Sequence, residues 1–98
     1  MKRVLITGAS RGIGAACARL FAKSGYDVII NYNNSKGEAL RLAREIGAET
    51  IRADVSSSAQ VDEMFKAAGE VDALVNNAGI SGFYMLDAMS DDEWNKMI

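Results

Sequence analysis

Eight residues constrain this chain more than any others: Thr7-Gly8-Ala9-Ser10-Arg11-Gly12-Ile13-Gly14. An apolar run, Val4-Leu5-Ile6, precedes them. Ile13, Ala16, Cys17, Leu20 and Phe21 follow at helical spacing, the expected inward face of a helix over 11–24 that stops at Gly25. The glycines therefore fall where a strand turns into a helix. Such a turn aims unpaired N–H groups and the positive end of a helix dipole at one spot, which attracts phosphate. Gly8 allows the tight turn, Gly12 lets backbone approach a pyrophosphate, and Gly14 lets helix and strand pack closely. Arg11 lies inside the turn, where its planar donors would reach a phosphate. A glycine-rich turn with no ligand is the other reading of these residues.

The rest of the chain repeats that architecture without repeating its sequence. Apolar segments recur at 4–6, 28–30, 51–55 and 71–75, with steps of about 24, 23 and 22 residues between them. Each interval holds one helical pattern. The second helix opens with Ser35-x-x-Glu38, buries Ala39, Leu42, Ala43 and Ile46, and ends at Gly47. The third opens with Ser57-x-x-Gln60, carries Val61, Met64, Phe65 and Ala68, and ends at Gly69. A fourth opens with Ser90-x-x-Glu93 and runs through Trp94 to Ile98. Three capping boxes mark three helix starts. Strands alternating with helices imply βαβ units and a parallel sheet. Residues 79–89 lack periodicity and carry Phe83, Tyr84, Met85 and Leu86, as local core or as a loop facing substrate or a second subunit.

Composition narrows the partners. The 98 residues carry a net charge of −2 with no basic block, which argues against nucleic acid and anionic membrane. There is no histidine, so His-based catalysis and metal binding are excluded, and Cys17 as the single cysteine fits a small core residue. The basic start, Met1-Lys2-Arg3, mimics a signal peptide, but the apolar run after it ends at Thr7. The expected compartment is the cytoplasm.

The nucleotide preference is expected at the end of the second strand. An acid there would bind an adenosine ribose and repel a 2′-phosphate. This chain has Asn31-Tyr32-Asn33-Asn34, with no acid there except Asp27, which precedes the strand. Neutral donors plus Arg11 favour NADP(H) over NAD(H). Asp54 closes the third strand, where its carboxylate would accept from the adenine amino group; favouring the dipole of the following helix is a compatible role. Asn76-Asn77-Ala78-Gly79 closes the fourth strand with small residues that let a nucleotide lie against backbone.

Taken together, Thr7–Gly14, Asp54 and Asn76–Gly79 make the chain resemble the short-chain dehydrogenase/reductase family over its whole length, and within it the 3-oxoacyl-(acyl-carrier-protein) reductase-like members. The resemblance implies a Rossmann-like parallel sheet of four βα units in three α/β/α layers, with residues 1–98 as one NADP(H)-binding half-domain. It implies that Gly8, Ser10, Arg11, Gly12, Ile13 and Gly14 line the phosphates and ribose. Asn31, Tyr32 and Asn33 would flank the adenosine 2′ position, and Asp54 and Val55 would hold adenine. Asn77, Ala78 and Gly79 would lie along the adenosine and its ribose, while Asn76 braces the sheet. A homo-oligomer and a carbonyl or alcohol substrate of the full-length parent follow from the same likeness.

The family's catalytic Asn, Ser and Tyr-x-x-x-Lys come after the fourth helix begins, so the expectation is a cofactor-binding portion truncated before the catalytic half, with no catalytic residue of its own. Tyr32-Asn33-Asn34-Ser35-Lys36 spells Tyr-x-x-x-Lys but sits at the adenosine end, and its helix starts after Tyr32. The fourth strand would then present a bare apolar edge, and the isolated chain would self-associate, swap elements or be marginally folded. A non-catalytic nucleotide-binding module and an oligomerising piece stand as the alternative functions.

Overall fold

The side chains of each strand point alternately to two faces, and both faces are apolar, so helices must cover both. The computed structural model describes residues 1–10 and 12–77, and the backbone of 84–87. In chain order these form β1 (Arg3–Ile6), α1 (Gly12–Lys23), β2 (Asp27–Tyr32), α2 (Lys36–Ile46), β3 (Glu49–Arg52), α3 (Ser58–Ala68), β4 (Ala73–Asn76) and β5 (Tyr84–Asp87). The sheet order is β3-β2-β1-β4-β5. The first four strands are parallel, with Val4 beside Val28 and Ala73. The layers follow from the alternation. Val4, Ile6, Val28, Ile30 and Tyr32 face Ala15, Ala18, Ala39 and Leu42 of α1 and α2. Leu5, Ile29 and Leu74 face Val61, Met64 and Ala68 of α3. The expected three-layer α/β/α, Rossmann-like arrangement is therefore present.

Four expectations are corrected. β3 lies at Glu49–Arg52 rather than 51–55, because its ladder to β2 ends where the Ala53 N–H donates to the Tyr32 carbonyl. Asp54 and Val55 thus belong to the turn into α3. The inward face of α1 is Gly14, Ala15 and Ala18, with Cys17, Phe21 and Ala22 partly covered, while Ile13 and Leu20 are 55% and 65% exposed. Small residues face the sheet because the helix lies too close to it for larger ones. Ser35 precedes α2 but its side chain makes no capping hydrogen bond, whereas the Ser57 side chain caps α3 by accepting from the Gln60 N–H, without the reciprocal Gln60 bond of a full capping box. The outer edge of β4 is not bare: β5 pairs with it antiparallel, Leu74 beside Leu86 and Val75 beside Met85. The expected fourth helix lies outside the described residues.

Candidate nucleotide site

The chain runs outward from β1 to β2 and β3, then returns to β4 on the other side of β1. Between β1 and β4 the order reverses, and in open parallel sheets the crevice beyond the strand ends at such a point takes the ligand. Residues 7–10 and Asn77 occupy that place. Gly8 and Gly12 adopt φ of +61° and +65°, a left-handed conformation that a side chain strains. A Cβ on Gly14 would lie 2.5 Å from the Gly8 carbonyl oxygen and 2.8 Å from the Ala9 Cα, so α1 packs here at a distance only glycine allows. A Cβ on Gly12 would meet nothing within 4 Å, so this glycine borders open space.

Hydrogen bonds hold the turn from two sides, β4 and β2. The Thr7 hydroxyl, fully buried, accepts from the Asn77 N–H at 3.0 Å, and the Asn77 amide donates to the Gly8 carbonyl at 3.2 Å. The Asn31 side-chain oxygen accepts from the Gly8 N–H at 3.3 Å, and the Asn31 carbonyl accepts from the Ala9 N–H. The first-turn N–H groups of α1, by contrast, have no acceptor within the helix, and that turn carries no acid. Their dipole end faces the crevice and suits a diphosphate. The residues therefore fit a dinucleotide: donors, open space at Gly12, and no side chain filling it among the described residues.

At the adenosine corner the structure redistributes the expected roles. Asn31 is 2% exposed, and its amide donates to the Ala53 and Ile51 carbonyls at 3.1 and 3.3 Å. It ties the β1 turn to β3, with its amide group occupied inside the fold. Tyr32 is buried in the core beside α2, whereas Asn33 is exposed. Lys36 opens α2 while Tyr32 ends β2, so the two share no helix face. Asp54 keeps one carboxylate oxygen on the Ser56 hydroxyl (2.7 Å) and N–H (2.9 Å). Those bonds hold its carboxyl below the usual range, with the nearby Arg52 charge assisting. Ionised, it is an acceptor only, as an adenine amino group requires.

Beside the turn, a groove of about 450 Å³ separates α1 from α2. Ser10, Gly12 and Ala15 line it from one side, and Glu38, Arg41 and Leu42 from the other. Arg19 and Glu45 close its far end with bonds of 2.7 and 3.2 Å, each reinforcing the other's charge. Burial pushes the Cys17 thiol up, away from thiolate chemistry. Among the described residues, no cluster of three or more His, Cys, Asp or Glu could hold a metal, and no helix is long and apolar enough to cross a membrane.

The short chain dehydrogenase family model matches residues 2–98. The chain belongs to the short-chain dehydrogenase family. Among its relatives, the 3-oxoacyl-(acyl-carrier-protein) reductase FabG of Staphylococcus epidermidis is 42% identical over 99% of this chain and 43% of its own length. The 3beta-hydroxysteroid dehydrogenase 1 of Eggerthella lenta is 42% identical over 99% of this chain and 41% of its own. The crystal structure of BdcA in complex with NADPH superposes with a TM-score of 0.76 and 40% identity, covering 97% of this chain and 39% of that one. The chain thus spans roughly two-fifths of the length of these relatives.

In this family member the turn carries Gly8, Ser10, Gly12, Ile13 and Gly14 beside Asn77, while Asp54 and Val55 follow the end of β3, on the far side of β2. Arg11, Ala78 and Gly79 lie outside the described residues. Two groups escaped sequence reasoning. Glu38 and Arg41 reach the groove from α2, and only their spacing of three, which puts them on one helix face, could have signalled it. Gln60 was read as a cap alone, yet its oxygen also gathers Arg52 and the Asp54 N–H.

Proposed function

We propose that this chain is the cofactor-binding portion of an NADP(H)-dependent short-chain oxidoreductase. The parent would transfer hydride between the nicotinamide and a carbonyl or alcohol carbon, which is the chemistry the bound cofactor supplies. The observation that carries the reading is the turn at Gly8–Gly14, where first-turn N–H groups and open space coincide at the switch point. The name of BdcA's complex and the kinship with FabG support the cofactor and the reaction class.

The chain's own part is binding and orientation. The first turn of α1, with Ser10 and Ile13 at its mouth, holds the diphosphate; Asp54 accepts from adenine; the turn after Val55 and the strand end at Asn77 flank it. Arg11, Ala78 and Gly79 complete the cradle in this reading. No residue here is assigned to proton transfer.

The test is a fluorescence titration with NADPH. Wild type is expected to bind, and Gly12→Ala to lose at least about tenfold in affinity, because its methyl enters the phosphate space. Gly25→Ala is the control: Gly25 has φ of +90° with nothing within 4 Å of a Cβ, far from the site. It should cost similar backbone strain and leave affinity unchanged. Wild type that binds no NADPH, or a Gly25→Ala loss equal to that of Gly12→Ala, overturns the reading.

A further inference from the structure

We propose that Arg41 is a specificity-determining residue whose guanidinium takes the extra phosphate of NADP(H) in the groove between α1 and α2. This rests on the cofactor reading above but does not follow from it, since a dinucleotide could use the turn without Arg41. The groove begins at Ser10 and Gly12, the mouth of the diphosphate turn, and Arg41 lines it from α2.

The cations nearby differ in what they are free to do. Arg19, in the same groove, is committed to Glu45 through two bonds. Arg52, the last residue of β3 and in register with Tyr32, donates to the Asn33 carbonyl and to Gln60. Arg41 makes no hydrogen bond or ion pair with any described residue. Its planar fork matches two phosphate oxygens, which a lysine cannot do as a point charge.

The strand tip leaves room for this role. The Asn31 amide is occupied inside the fold and Tyr32 is buried, so Asn33 alone of the three presents an exposed side chain. A doubly charged phosphate needs a cation beyond neutral amides. Glu38 opposes it: this carboxylate lines the same groove one turn before Arg41. On the α2 side of the groove the preference for the phosphorylated cofactor is therefore set by Arg41 against Glu38, beside the contribution expected of Arg11 in the turn.

Equilibrium titrations of the full chain with NADPH and with NADH separate the two claims. Arg41→Met keeps the stem and removes the fork, and circular dichroism confirms that the variant folds. The expected result is about a tenfold loss of NADPH affinity with NADH unchanged, the size of one lost charge-assisted hydrogen bond. Glu38→Gln should tighten NADPH and leave NADH alone. An NADPH-to-NADH ratio unchanged in Arg41→Met overturns this assignment while wild-type binding keeps the cofactor reading. Wild type that binds neither nucleotide overturns both.

Discussion

Gln60 gathers three pieces of chain at one side chain. Its oxygen accepts from Arg52 Nη1 at 3.0 Å and from the Asp54 N–H at 2.9 Å, while its own N–H donates to the Ser57 hydroxyl oxygen. The end of β3 is thereby fixed against the start of α3, and Asp54 is held at the crevice. The acid limb of stability carries the signature of Asp54. Ser56 lowers the folded pKa of this carboxyl below its unfolded value of about 3.9. The associated stability is complete above that value and is lost as pH falls through the folded pKa. Ser56→Ala is expected to move the Asp54 titration upward toward the ordinary carboxylate range, read by carbon-13 NMR of the side-chain carboxyl. An unmoved titration would show that Arg52, not Ser56, dominates. Across pH 5 to 8 the group stays ionised in both proteins, so its effect on cofactor binding is flat there.

Among elements, the helices differ in how their first turns are satisfied. Ser57 has extended backbone, φ −102° and ψ 114°, and its oxygen accepts from the Gln60 N–H. Ser35 sits at ψ 57°, which turns its hydroxyl away from the first turn of α2, and it caps nothing. Two residues with one sequence signature therefore have different energetic weight. Ser57→Ala should cost about 1 kcal/mol in chemical denaturation. Ser35→Ala should leave the midpoint where it is; equal losses in the two variants would refute the distinction. α1 leaves its first turn to a ligand and draws its hold on the sheet from Gly14, Ala15 and Ala18. The Arg19–Glu45 pair that ties it to α2 is half-exposed at both partners, so salt screens it and it adds little.

For the whole molecule, the two ends of the sheet do different work. At the end where β1 begins, the Arg3 guanidinium pairs with Asp27 at 2.9 Å and donates to the Ala68 carbonyl, and the Arg3 backbone N–H donates to the Asp72 carboxylate at 2.8 Å. That clamp joins β1, β2, α3 and the approach to β4, and leaves the opposite end free to be an open crevice. Along the side of the sheet, β5 covers the edge of β4 that a parallel sheet of four would expose. Self-association through that edge loses its basis. Proline at both Met85 and Leu86 removes whichever N–H of the two faces β4, since neighbouring strand residues alternate in direction. The double variant should sediment as larger species and melt lower than wild type, as its uncovered edge pairs with other chains. A monodisperse double variant with an unchanged melt would mean that β5 contributes nothing to edge protection.

The glycine turn, the alternation of strands with helices, the Ser57 cap and the acid-free tip of β2 were all set locally, by residues within a few positions of one another. Periodicity and backbone preference act at that range, so the α/β class and the phosphate turn could be read from the residues alone. Which face of α1 lies inward could not, because Ile13 and Leu20 are as apolar as any core residue and only the closeness of the sheet admits Gly14, Ala15 and Ala18 there. The same holds for Asn31, turned inward by carbonyls at the end of β3, and for Glu38 and Arg41, brought beside Ser10 by the packing of α2 on α1. These pairs lie about 20 to 30 residues apart in the chain. Only tertiary packing places such distant groups together, and it decided which polar side chains brace the fold and which remain free to meet a ligand.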